Sequence, residues 1–86
     1  MSKQNTLEHL VNKQFEIAGY DTTELNYQNL IKTKNKDWFT KNTITKEKQK
    51  EFELYAKSYL KKHVYNVEKE YNWFLFAYGL KCVDNE

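Results

Sequence analysis

The segment from about residue 46 to 64 constrains the fold most, because its side chains sort into two faces at helical spacing. Five apolar side chains and one histidine share a stripe: Phe52, Tyr55, Ala56, Tyr59, Leu60 and His63. Charged side chains lie outside that stripe: Lys50, Glu53, Lys57, Lys61 and Lys62. A one-sided apolar stripe is typical of a helix that packs against a core. The pattern therefore predicts an amphipathic helix over this segment.

A second helix is predicted near the N-terminus, over about residues 7 to 18. Asn5 or Thr6 can cap this helix. Its apolar residues recur at helical spacing: Leu7, Leu10, Val11, Phe15 and Ala18. Gly19 follows, at the place where a glycine in the left-handed conformation ends many helices. In such an ending the next residue packs back on the helix, so the sequence predicts a contact between Tyr20 and Phe15.

A third helix is predicted over about residues 67 to 78. Asn66 is a suitable N-cap, and Glu68 and Glu70 place carboxylates near the positive end of the helix dipole. The apolar stripe consists of Val67, Tyr71, Phe74, Leu75 and Tyr78. Gly79 is expected to end this helix in the left-handed conformation, with Leu80 packing on Leu75.

The region between these helices carries weaker patterns. A short helix is expected to begin at Asp21 or Thr22. Its apolar positions are Leu25, Tyr27, Leu30 and Ile31. One further helical turn is expected over residues 37–39, and Thr43 or Thr45 can cap the helix that follows.

The fold class follows from these segments. No stretch alternates apolar and polar residues between turn glycines, so strands are disfavoured, and the chain has two glycines and no proline. The sequence predicts an all-α fold, a small bundle of three to four helices forming a single domain over residues 1–86. Residues 1–5 and 82–86 are expected to fray at the termini.

Length and composition restrict the class of protein further. With 86 residues and 40% apolar residues, the chain suits one small globular domain. Its single cysteine, Cys82, excludes an intrachain disulfide. No apolar stretch has the length of a signal peptide or of a membrane span. The expected location is therefore the reducing cytoplasm, with no membrane partner.

Catalytic and metal chemistry find little support in the sequence. His9, His63 and Cys82 are the only strong metal ligands besides carboxylates, and no CxxC or HxxxH spacing occurs. The acidic residues fall on predicted helix exteriors, away from any cleft: Glu51, Glu53, Glu68 and Glu70. With two glycines, the chain has no glycine-rich phosphate loop. We therefore expect no enzyme, no cofactor and no metal site.

The stretch NWFLFAYGLK places two aromatic residues off the main stripe of the third helix. Indexed at about 100° per residue, Trp73 and Phe76 lie on the side away from Phe74. Either both rings are covered by the rest of a small core, or they form a surface that another protein covers. The second alternative predicts partner-binding residues at Trp73 and Phe76, with Trp38 and Phe39 as neighbours.

The stretch from Lys32 to Lys50 supports an alternative function. It holds seven lysines against Asp37 and Glu47. Four of these lysines are candidate nucleic-acid contacts: Lys34, Lys36, Lys46 and Lys48. Lysine contacts phosphate but does not make the forked contact that reads guanine, so weak, non-specific and salt-sensitive binding is the expectation. All 14 basic residues are lysine, a bias that AT-rich codons also explain, so a solvated linker is the competing interpretation.

Several short segments follow one another in a distinctive order: FEIAGYD, then WF followed by TIT and KQKEF, then VEKEYNWF and YGLK. This order resembles that of a set of small, uncharacterised proteins encoded by tailed bacteriophages. The resemblance implies a phage accessory protein acting in the cytoplasm of an infected bacterium. It carries no ligand or active-site residue. The leading hypothesis is a non-enzymatic protein that binds another protein, either a host protein that it modulates or its own copy.

Overall fold

The computed structural model describes residues 5–23, 27–33 and 36–84. In this part of the chain five helices and two strands follow one another: α1 Asn5–Ala18, α2 Tyr27–Thr33, α3 Lys36–Lys41, β1 Thr43–Thr45, α4 Lys46–Leu60, α5 Val67–Tyr78 and β2 Lys81–Val83. The domain is thus mostly helical, as predicted, but it is not a pure bundle. Leu25 of the expected short helix lies outside the described residues.

The end of α1 confirms its sequence prediction. Gly19 has a φ of 96°, in the left-handed region that a side chain disfavours. Its N–H donates to the Glu16 carbonyl at 3.1 Å, and the Tyr20 N–H donates to the Phe15 carbonyl at 3.0 Å. The Tyr20 and Phe15 rings lie 5.8 Å apart. Helix α1 therefore ends with the hydrogen-bond pair and the apolar contact expected of a left-handed glycine.

Helix α5 begins as predicted and ends differently. The Asn66 side chain accepts a hydrogen bond from the Lys69 N–H at 3.1 Å, which confirms the N-cap. Gly79 has φ −75° and ψ 140°, so the prediction of a left-handed glycine there is wrong. The chain leaves α5 in an extended conformation because it enters β2 two residues later. A left-handed residue would have turned it away from that strand.

Strands β1 and β2 correct the prediction that the chain has none. They pair in parallel, with Thr43 opposite Lys81, Ile44 opposite Cys82 and Thr45 opposite Val83. Each strand has three residues, too few for alternation to appear in the sequence. Residues 82–86 were expected to fray, yet two of them, Cys82 and Val83, lie in β2.

Helix α4 is shorter than predicted. Thr45 caps it through its hydroxyl, which accepts from the Lys48 N–H at 3.2 Å, and the helix ends at Leu60. A tight turn follows, in which the His63 and Val64 N–H groups both donate to the Leu60 carbonyl, at 2.8 and 2.9 Å. His63 is exposed. The prediction that it closes the buried stripe of this helix is therefore wrong, because the helix has already ended when the chain reaches it.

The core lies between α1, α4 and α5, with α3 and the sheet closing one end. Its buried apolar side chains are Leu10, Val11, Phe15, Phe39, Ile44, Phe52, Ala56, Leu60, Tyr71, Phe74, Tyr78 and Leu80. Phe52 and Phe74 lie at its centre, where α4 meets α5, with ring centroids 5.7 Å apart. The cluster holds residues from both predicted stripes of α4 and α5, so the amphipathic patterns correctly indicated which faces are buried.

One fully buried polar residue interrupts this core. Gln14 is 0% exposed and donates from its Nε2 to Gln49 Oε1 at 3.3 Å. Gln49 in turn donates to the Tyr71 hydroxyl at 3.2 Å. Burial is the main cause that raises the pKa of Tyr71 to about 12, so this hydroxyl stays protonated at neutral pH. These two hydrogen bonds connect α1, α4 and α5 inside the core.

Candidate protein-binding surface

Two large aromatic side chains lie exposed on the outer face of α5. Trp73 is 49% exposed and Phe76 is 75% exposed. The opposite face of the helix carries Tyr71, Phe74 and Tyr78, all buried. We call Trp73 and Phe76 the aromatic patch. The structure therefore places both rings on the surface of the domain.

The two aromatic residues of α3 are less exposed than those of this patch. Phe39 is 1% exposed and belongs to the core, so the prediction that it contributes to a docking surface is wrong. Trp38 is half-buried and stacks on Phe15 with ring centroids 5.2 Å apart. Phe39 packs edge-on against Tyr78, and Tyr78 packs edge-on against Trp73. Ring contacts therefore connect α3 with the aromatic patch through the core.

A groove of about 700 Å³ lies beside the aromatic patch. It is bounded by the start of α1, the turn after α4 and the first half of α5. Its lining residues are Thr6, Leu7, Leu10, Leu60, Lys62, His63, Val64, Glu70, Trp73 and Phe74. Trp73 belongs both to the groove and to the patch. The two features therefore form one continuous apolar surface.

Of the titratable side chains that line the groove, two are basic and one is acidic. Lys62 and His63 line the groove on the side of the turn, and Glu70 lines it from α5. Lys61 and Lys69 are exposed on the same two elements. Glu68, which also begins α5, is engaged with the Lys57 ammonium at 2.7 Å. An apolar groove with a basic surrounding favours a ligand that carries large apolar groups next to negative charge.

A stack of rings supports the wall of the groove. The His9 ring of α1 stacks on Tyr59 with centroids 4.3 Å apart, and Tyr59 contacts His63 with centroids 4.6 Å apart. His9 also hydrogen-bonds through Nε2 to the Tyr55 hydroxyl. The stack joins the first half of α1 to the end of α4, so it fixes the spacing of the two elements that border the groove.

Burial lowers the pKa of His9 below its ordinary value of 6.5, and the positive charges of Lys13 and His63 lower it further, while Glu16 raises it. The folded state therefore prefers the neutral imidazole. Stability from this preference is complete above pH 6.5 and declines as the pH falls from 6.5 through the lower pKa of the folded state.

We expect urea midpoints to fall as the pH is lowered from 6.5 to about 5, within the range in which histidine titrates. The groups facing His9 are Lys13 and Glu16 from α1, Tyr55 and Tyr59 from α4, and His63 from the turn. His9→Gln should remove most of the decline over this range. His63→Gln serves as the control and should keep most of it, because His63 is the smallest of the causes that shift the pKa of His9. A decline of equal size in His9→Gln would contradict the assignment.

Of the four candidate nucleic-acid lysines, the structure describes the side chains of Lys46 and Lys48. Lys46 pairs with Asp84 at 3.0 Å, beside β2. The Lys48 Nζ lies near Gly19, 4.0 Å from the point that a Cβ of that glycine would occupy. Lys34 lies outside the described residues, and Lys36 begins α3. The structure thus directs Lys46 and Lys48 to different parts of the surface.

Within the residues that the structure describes, no three His, Cys, Asp or Glu side chains come close enough together to hold a metal ion. Among the helices of the same residues, none combines the length and the apolar character that crossing a bilayer requires.

Comparison of the chain with protein-family models, with curated proteins and with solved structures finds no match. The resemblance to small tailed-phage proteins therefore rests on the quoted sequence segments alone.

Proposed function

We propose that this protein is a small, non-enzymatic binding protein that captures a segment of another protein on the aromatic patch and the adjoining groove. The observation that carries the proposal is the exposure of Trp73 and Phe76, at 49% and 75%, beside an apolar groove. Clustered exposed rings on a small domain are typical of a binding surface, because they provide large contact area for few frozen torsions.

The chemistry of the surface specifies the partner segment. Leu7, Leu10 and Val64 provide aliphatic walls that suit one or two large apolar side chains. Lys62, together with the exposed Lys61 and Lys69, attracts carboxylates next to those anchors. The ligand is therefore a peptide segment with bulky apolar residues flanked by Asp or Glu. In the cell this segment belongs to a bacterial host protein whose activity the complex modulates, as the phage resemblance suggests.

A displayed library of random peptides tests the proposal. We expect the parent protein to enrich peptides that combine large apolar residues with acidic neighbours. The double variant Trp73→Lys with Phe76→Glu should keep its helical circular dichroism and cooperative melting, because both side chains lie outside the core. It should lose binding of the enriched peptides, since the anchors of the surface are replaced by charges.

The matched control is Leu54→Glu. Leu54 is 75% exposed on α4 and lies outside the groove, so this variant changes an exposed apolar residue to a charge elsewhere. It should bind the enriched peptides as the parent does. Peptides that still bind the double variant, or enrichment without acidic residues, would contradict the proposed site. Unfolding of the double variant would show that the two rings act as core residues.

The alternative of weak nucleic-acid binding through the Lys32 to Lys50 stretch remains a prediction from the sequence. The engagement of Lys46 with Asp84 and its separation from Lys48 do not favour it. Protein binding is better supported because its residues form one continuous surface.

A further inference from the structure

At one edge of strand β2, the backbone of Cys82 has no hydrogen-bond partner among the described residues. In a parallel pair, a residue whose N–H faces the neighbouring strand also directs its carbonyl there. The Lys81 N–H donates to the Asn42 carbonyl at 3.0 Å, so Lys81 faces β1. Cys82, the next residue, therefore directs its N–H and its carbonyl away from β1. Its side chain is exposed.

The opposite edge of the sheet is already closed. On β1, Thr43 directs its backbone groups away from β2. The Tyr20 hydroxyl lies against them, donating to the Thr43 carbonyl at 3.1 Å and accepting from the Thr43 N–H at 3.0 Å. One side chain thus satisfies both outward groups of Thr43. Among the described residues, the edge of the sheet without such a partner is that of β2.

We propose that two copies of this chain associate by antiparallel pairing of their β2 strands about a two-fold axis at Cys82. The open edge offers one donor and one acceptor on the central residue of a three-residue strand. A two-fold axis beside that residue places the same two groups of the second copy opposite them, so each Cys82 exchanges both hydrogen bonds with the other. The result is a continuous sheet of the order β1, β2, β2, β1.

The charge of Lys81 favours this orientation of the second copy. In the antiparallel pair Lys81 of each copy lies opposite Val83 of the other. A parallel arrangement in register would instead place Lys81 opposite Lys81. Like charges directly opposite one another destabilise a strand pair.

The closed edge at β1 limits the size of the assembly. Because the Tyr20 hydroxyl occupies the outward groups of Thr43 in each copy, a third chain cannot pair with that residue of β1. The association therefore ends at a dimer and does not extend into a filament. It uses a surface different from the aromatic patch, so it stands independently of the proposed function.

Disulfide formation between the two Cys82 residues tests the pairing. Residues that exchange both hydrogen bonds across antiparallel strands have Cα atoms about 5.5 Å apart, which suits a disulfide. Under mild oxidation with oxidised glutathione, the full-length parent should form a covalent dimer at least about tenfold faster than a variant carrying Cys82→Ser and Ser58→Cys. Ser58 is exposed on α4, so this variant keeps one exposed thiol at another place.

Sedimentation tests the association without oxidation. The parent and Cys82→Ser should both dimerise as concentration rises, because serine keeps the backbone groups. Cys82→Pro should remain monomeric while keeping its helical circular dichroism, because proline removes the outward N–H and leaves the bonds of Lys81 to β1 intact. The Trp73→Lys and Phe76→Glu variant should dimerise as the parent does, which separates this surface from the peptide-binding one.

Amide hydrogen exchange provides a measurement that needs no variant. The Cys82 amide should exchange slowly in concentrated parent protein and rapidly on dilution. A parent that stays monomeric at high concentration, a Cys82 amide that exchanges rapidly at every concentration, or equal oxidation rates for the two thiol positions would overturn the proposal.

Discussion

Phe74→Ala is expected to lower the free energy of unfolding by about 3 to 5 kcal/mol, and Phe52→Ala by a similar amount. Phe74 is 1% exposed and Phe52 is 0% exposed, and their rings meet where α4 packs on α5. Truncation removes buried apolar surface and leaves a cavity that neighbouring helices close only in part. Domains have total stabilities on the order of 5 to 15 kcal/mol and small ones lie near the low end, so both variants should lose most of their stability.

Phe76→Ala is the matched control, because it makes the same chemical change two residues further along α5 at a side chain that is 75% exposed. Urea unfolding should place it within about 0.5 kcal/mol of the parent. If Phe74→Ala also stays within that range, Phe74 does not belong to the core.

Gly79→Ala is expected to destabilise the domain by about 1 to 3 kcal/mol, as overpacking does in a closed site. Its φ of −75° and ψ of 140° suit any residue, so conformational preference alone would favour alanine. A Cβ at this position, however, would come within 2.6 Å of the Leu75 carbonyl oxygen and 3.0 Å of the Leu75 Cα. Both are backbone atoms, which cannot rotate away. The close approach therefore makes Gly79→Ala destabilising despite the favourable backbone conformation.

Gly19 provides the comparison for this prediction. A Cβ at Gly19 would find nothing closer than the Lys48 Nζ at 4.0 Å, so Gly19→Ala carries only the cost of the left-handed backbone, about 1 to 2 kcal/mol. Asparagine tolerates that conformation, so Gly19→Asn should recover part of the loss. Gly79→Asn should recover nothing. Thermal or urea unfolding of the four variants measures the contrast, and recovery at Gly79 would contradict the steric explanation.

Local features of the fold were predictable because their causes lie within a few residues. The end of α1 at Gly19 and the start of α5 at Asn66 each depend on one side chain or one backbone preference next to the helix. The apolar stripes indicated the buried faces of α4 and α5 for the same reason, since helical spacing is a property of the segment itself.

Features that depend on distant residues were not predictable. Strands β1 and β2 pair across the chain, and the conformation of Gly79 follows from that pairing. Phe39 is buried because α3 packs against Tyr78, which no local pattern indicates.

Gln14 is an intermediate case. It falls on the apolar stripe of α1, seven residues after Leu7, so its position indicated burial, although its polar side chain argued against it.

The candidate surface was predicted in part. The helical indexing of α5 separated Trp73 and Phe76 from the buried stripe, and the structure exposes both. The groove was not predicted, because it requires α1 and the turn after α4 to lie beside α5. Its aliphatic residues Leu7 and Val64 belong to segments that are distant in sequence and meet only in the folded domain.

The parallel pairing of β1 and β2 also sets the order in which the domain can assemble during synthesis. Translation releases the chain from its N-terminus, so the contacts between α1 and α4 become available while α5 is still being made. Ile44 is 2% exposed and lies in register with Cys82, thirty-eight residues later. Among the described helices and strands β2 is made last, so the sheet is the last of their pairings that a nascent chain can form. A fragment ending before Lys81 leaves β1 without its neighbour, whatever helical packing it has already gained.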